Sequence, residues 1–433
     1  MIKTRLLHLI ELINSKFWVI PLLCLVSAGA TAYLNTYLDK YYFSFNETPL
    51  SFLFYFSDHQ SIRALLTTIA GSLLGVAGVS FSVTLTSLVL ASQQFGPRLL
   101  RNFMRDSFNQ LVIGLFISTF FYCMLVLQFT SNMEEAKFTP ILSMLTALVL
   151  VVVDLLLLVF YIHHIAESIH ADTIISGVYE ELTDRLDMQF PKLDEESSGL
   201  PAQGKTHPES NKDKPSQWIS APASGYLQAI NHQGLFELAQ DRNIALNVHF
   251  QAGDYMMEGS ELVSCISLGE ATDEDLDSEI ISHFIIGNIR TPEQDARYSI
   301  RQLVEVALRA LSPGINDPFT AITCINRLGS AMGIIMERRF PASEHYDEND
   351  CLRLQLTPYS FDNLLGAAFD QIRQNAESHT EVIIALLKTL HQLTARSSNK
   401  EQIQAIQEQV DAIFLSAQNT LKVQKDLDTV TKI

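Results

Sequence analysis

Four stretches of this chain carry almost no charge, and each is long enough to cross a lipid bilayer. They fall at about residues 17–38, 66–92, 108–130 and 139–162, and the second lies within a run, 64–97, that has no charged residue at all. A span needs about 20 apolar residues at 1.5 Å rise each. A soluble helix of that length would keep a charged face for water. The first 165 residues are therefore expected to form a four-helix transmembrane domain, with the lipid bilayer as its first partner. Asp154 is the single charge between residues 138 and 162.

The rest of the chain has the opposite character. Overall, 30 Lys and Arg stand against 48 Asp and Glu, a net charge of −18. Residues 1–165 hold 9 basic and 8 acidic side chains, leaving 21 and 40 for residues 166–433. So acidic a domain repels phosphate, which argues against nucleic acid as a partner. The five cysteines form no CxxC and no close pair, so neither a zinc ribbon nor a disulfide scaffold is indicated. Lys3, Arg5, Lys16, Arg98, Arg101 and Arg105 flank one side of the spans; only Lys40, Arg63 and Lys137 flank the other. The positive-inside rule then puts both termini in the cytoplasm of a multi-pass inner-membrane protein.

Two intramembrane features carry possible chemistry. Gly71, Gly75, Gly78, Ser82 and Thr86 recur at helical spacing and share one face of the second span. Such a stripe serves either close helix packing or a small polar pore lining. Asp154 would cost about 3 kcal/mol facing lipid as a carboxylate. It is expected inside the bundle, either hydrogen-bonded to a neighbouring hydroxyl or holding an ion or proton.

A juxtamembrane helix is expected over 166–190, where His163, Glu167 and His170 make a polar turn without a second Glu-x-x-His to complete a metal site. Five prolines between 191 and 222 mark a flexible linker. Residues 223–433 read as a mixed α+β cytoplasmic domain. Strands are expected at 225–230 and 244–250, in a small β module resembling half of a biotinyl-type sandwich but without a lysine at the hairpin tip. Helices follow, including one begun by a capping box at Thr291, Pro292 and Gln294. Arg297, Arg301 and Arg309 step along that helix opposite Leu303, Ala307 and Leu311, and Asn316 and Asp317 lie in the loop that follows. This set is either a solvated salt-bridging face or a contact for an anion or a second subunit. No phosphate-binding glycine loop, HExxH or GxSxG occurs, so no catalytic residue, cofactor or metal is indicated.

Four segments, Phe17-Trp-Val-Ile-Pro21, Ala70-Gly71 through Thr84, Gln94-Phe-Gly-Pro-Arg-Leu-Leu100 and Arg309-Ala-Leu-Ser-Pro-Gly-Ile-Asn-Asp-Pro-Phe-Thr-Ala321, resemble the domain-of-unknown-function 2254 family of predicted bacterial inner-membrane proteins. The resemblance implies four spans with a C-terminal cytoplasmic domain and carries no activity with it. Four helices are few to enclose a permeation path, so an oligomeric ion channel or transport-like protein with a regulatory domain is one expectation. A membrane-anchored sensor or scaffold is the other.

Overall fold

The computed structural model describes residues 18–41, 59–96, 106–131, 140–192, 217–267, 275–376 and 379–433. The arginines at 98, 101 and 105 and most of the 191–222 stretch lie outside these residues. The uncharged runs form α1 (Val19–Tyr41), α2 (His59–Phe95), α3 (Ser107–Ser131) and α4 (Ile141–Ser168). Helix α2 starts upstream of its uncharged run and takes in Arg63, and α4 continues past Ile162 through His163 and His164.

Helix α3 is the hub of the bundle. Over half of its span is buried, against about a fifth for each of the other three. One side of it packs Val112 and Phe116 with Leu73, Ala77, Tyr161 and Ile165. A second cluster joins Tyr122, Cys123 and Val126 to Ala32, Leu66 and Ala147. Gly114 lets α1 come this close: a Cβ there would stand 2.9 Å from the Pro21 Cα. The outer face of α4, with Leu148, Val149, Val152, Leu156 and Val159, is exposed and aliphatic, as a lipid-facing surface must be.

Residues 1–173 and 174–433 form two compact units. The second begins within α5 (Ala171–Gln189), whose Ile175, Val178, Leu182 and Leu186 are buried. Two sheets follow. In the larger, the order is β1 (Gln217–Ser220), β5 (Glu261–Ser267), β3 (Ile244–Val248), β8 (Leu352–Leu356) and β7 (Glu344–Tyr346); in the smaller it is β4 (Tyr255–Met256), β2 (Gly225–Ile230) and β6 (Phe284–Gly287). Only β3 and β8 pair in parallel. Leu227, Leu235, Leu246, Val263 and Leu354 fill the core between these sheets and the short helices α6 (His232–Asp241) and α7 (Leu276–Ile281). A helical layer completes the unit: α8 (Arg297–Ala310), α9 (Pro318–Met336), α10 (Phe361–Asn375), α11 (Thr380–Arg396), α12 (Lys400–Thr420) and the short α13 (Gln424–Val430).

Several expectations need correction. The stretch read as linker to residue 222 already contains β1, because Trp218 and Ile219 pair with Ser264 and Val263 of a strand 45 residues away. Helix α8 does not start at a Thr291 capping box. The Gln294 side chain instead accepts from the Ile230 N–H at 2.9 Å and donates to its carbonyl at 3.1 Å, finishing the end of β2. The helix starts three residues later, where Asp295 accepts the Arg297 N–H. The expected strands of the β module divide between the two sheets, β2 in the smaller and β3 in the larger. Finally, a fifth helix, α9, is long and apolar enough to cross a membrane, and half of it is buried.

Candidate functional site

Asp154 sits thirteen residues into α4, about 20 Å from either end of that helix. It is 2% exposed, and neither carboxyl oxygen has a hydrogen-bond partner among the described residues. Thr119 of α3, fully buried, is placed to donate to this carboxyl, although the contact does not reach full hydrogen-bond geometry. A cavity of about 190 Å³ borders the carboxyl, walled by Thr68 and Ser72 of α2, Phe116 of α3, and Val151 and Leu158 of α4, with aliphatic side chains for the rest. The two hydroxyls of α2 already donate to backbone carbonyls one turn back, at 2.8 Å each. They can offer lone pairs to a guest in the cavity but no spare proton.

Most other buried polar groups of the bundle are bonded, the Thr119 hydroxyl and the Asn109 side-chain oxygen excepted. Asp39, in the last turn of α1, accepts from the N–H groups of Leu142 and Ser143 at 2.9 Å each and from the Ser143 hydroxyl at 2.7 Å, so one helix caps the start of another. Asn35 donates to Tyr122 and Thr146, and Tyr122 donates to the Ser143 carbonyl. Towards the other end, the Tyr161 hydroxyl donates to the Ser80 carbonyl at 2.5 Å and lies 2.6 Å from the Thr84 hydroxyl. Beyond it Asp106 caps α3 and meets His164 at 2.6 Å. Asp154 thus lies between two bonded polar layers with no bond of its own. Sequence reading missed those layers, although Asn35 in an otherwise apolar helix was a visible signal.

The stripe on α2 lies apart from this cavity. Gly71, Gly75, Gly78, Ser82 and Thr86 are all exposed, and a Cβ added at any of the three glycines would meet nothing within 4 Å. The buried face of α2, with Leu66, Ala70, Leu73, Ala77 and Ser80, is on the opposite side. The stripe therefore packs against none of the described residues.

In the second unit the arginine row divides. Arg297 pairs with Asp254 at 2.7 Å and lies 3.8 Å from Asp295, which also binds Arg290. Gly253 makes room for Asp295: its φ of +90° forms a turn where a side chain would strike the carboxylate. Arg297 is thus a structural tie between α8 and the β module. Arg301 is exposed, and Arg309 pairs with Glu305 at 3.6 Å. Asn316 has a positive φ of 51°, and Asp317 caps α9 through the N–H groups of Phe319 and Thr320. These five residues do not converge on one point. Among the described residues, no group of three His, Cys, Asp or Glu is placed to hold a metal ion.

Comparison with known proteins covers most of the chain. Residues 14–392 match the DUF2254 family, described as a predicted membrane protein. An uncharacterized protein of Mycobacterium bovis is 31% identical over 431 residues, covering 96% of this chain and 79% of the relative. An uncharacterized protein of Mycobacterium tuberculosis matches with the same identity and coverage. No solved structure matches.

Proposed function

The chain belongs to the DUF2254 family of predicted membrane proteins, and on that premise we propose that it is an oligomeric, ion-conducting or transport-like protein of the bacterial inner membrane. In this reading Asp154 is the intramembrane ion or proton site and the C-terminal unit is a cytoplasmic regulatory part. One observation carries it: a carboxyl halfway along a spanning helix, with both oxygens unpaired, bordering a cavity. Keeping such a group in the apolar interior costs several kcal/mol unless something binds it, so a purely structural role is a poor reason to retain it.

Four crossings rather than five fit this reading. Helix α9 carries Arg327 near its middle and buries Leu328, Met332 and Ile335 in the core of its own unit. The excess of basic residues on one side of the spans supports cytoplasmic termini. The open face of α2, with its three glycines and two hydroxyls, supports close approach of a neighbouring copy.

Reconstitution in liposomes tests the proposal, with ion and proton flux and oligomer mass measured for wild type, Asp154→Asn and Gly75→Leu. Flux in wild type that is lost in Asp154→Asn, with a smaller assembly for Gly75→Leu, is the expected result. No flux in any condition, with a monomeric mass, discards it. A membrane-anchored sensor or scaffold is the second reading, favoured by the aliphatic walls of the cavity, which give a passing ion few ligands. That reading expects Asp154→Asn to behave as wild type.

A further inference from the structure

Helices α5 and α9 run in the same direction and are linked by arginine side chains. Arg327 donates to the Ser176 hydroxyl at 3.3 Å and lies 5.0 Å over the Tyr179 ring. Eleven residues further on, Arg338, just past the end of α9, pairs with Asp187 of α5, and beyond it Phe190 and Phe340 meet edge to face at 5.4 Å. The offset of 151 residues in both pairs fixes the register. Residue 322 of α9 is then level with Ala171, the first residue of α5, and Phe319 stands about 5 Å beyond it. That end of α5 is tethered by the chain itself: α4 ends at Ser168 and α5 starts at Ala171, a link that spans at most about 10 Å.

The loop at this end, residues 312–319, is unusual in two ways. It turns apolar side chains outward, with Phe319 77% and Ile315 44% exposed. It also needs little water for its backbone. Ile315 and Asn316 donate to the Ser312 carbonyl and Asp317 to that of Ala310. Phe319 and Thr320 donate to the Asp317 carboxylate, and residues 313 and 318 are prolines with no N–H. The other oxygen of Asp317 accepts the Thr320 hydroxyl. A tip with most of its N–H groups bonded, that of Gly314 excepted, and its large apolar side chains outward suits the boundary between lipid headgroups and acyl chains.

From these observations we infer that the 312–319 loop seats on the bilayer surface, with Phe319 and Ile315 entering the lipid. The C-terminal unit is then held to the membrane twice, covalently through α4 and α5 and non-covalently through this tip. The inference needs α4 to cross the membrane but not Asp154 to bind an ion, so the two stand or fall separately.

The test uses the full chain in nanodiscs, with the two native tryptophans removed as Trp18→Phe and Trp218→Phe and a single reporter introduced as Phe319→Trp. Its emission is expected to be blue-shifted, and strongly quenched when the lipids are brominated near the top of their acyl chains. Met188→Trp, at an exposed position near the far end of α5, serves as the control and should stay unquenched in the same discs. An unquenched Phe319→Trp reporter overturns the inference. If that emission is also blue-shifted, protein covers the loop, either another part of this chain or a second copy. Equal quenching at both positions overturns it as well, because the contact would then not be particular to the tip.

Discussion

Among the described residues of the first unit, Asp39 and Asp154 are buried and Asp106 partly so, and the three differ in what they meet. Asp39 receives three hydrogen bonds from the start of α4, and Asp106 holds the start of α3 and His164; Asp154 receives none. Removing a cap of the first kind costs about 1–2 kcal/mol, so Asp39→Ala should lower the melting temperature in detergent. Asp154→Leu should leave it unchanged or raise it, because a buried polar group without a partner costs about 1–3 kcal/mol. A larger loss for Asp154→Leu than for Asp39→Ala would mean that the carboxyl is structural. His232 makes a pH-dependent case in the second unit. Burial, aided by the nearby His345, pushes its pKa down to about 4 from the usual 6.5. The unfolded chain therefore binds a proton between those values that the folded one refuses, and stability falls as pH drops through that window. The effect is on the order of 2 kcal/mol. Denaturant titration of the full chain at pH 7 and pH 4.5 should show more of this loss in wild type than in His232→Asn.

At the scale of elements, the glycines separate two roles that look alike in the sequence. Gly71, Gly75 and Gly78 have the spacing of a packing motif, yet none of the described residues approaches them; Gly114, alone in α3, is the one pressed against Pro21. Gly114→Ala should therefore destabilise the bundle by about 1–3 kcal/mol, whereas Gly75→Ala in monomeric detergent-solubilised protein should be neutral. Equal losses at both would mean that α2 is buried on its striped side. Helical spacing identifies which residues share a face but not which helix covers it, so the stripe was legible and its partner was not. Helices of the second unit were legible for the converse reason. Leu364, Ala368, Ile372, Val382, Leu386 and Leu390 keep strict periodicity and are all fully buried. Strand β8 was missed because it and its hairpin partner β7 are short, and its other partner, β3, lies about a hundred residues upstream and pairs in parallel.

For the whole molecule, the contrast between an uncharged first third and an acidic remainder already separates a lipid-embedded unit from a water-facing one. What could not be read is how the polar residues of the spans sort themselves. Asn35, Tyr122, Thr146 and Tyr161 come together only when the helices pack, and Asp154 is singular only because those others find partners. Conduction through this site requires water or ions to reach that carboxyl from outside the bilayer. The most direct measurement is labelling of Asp154→Cys by a small, charged, water-soluble thiol reagent in reconstituted membranes. All five native cysteines would first be replaced, and Leu148→Cys on the exposed aliphatic face of α4 would mark the lipid-facing baseline. Labelling at position 154 well above that baseline is the result expected here; a thiol as inert as the one at position 148 would contradict it.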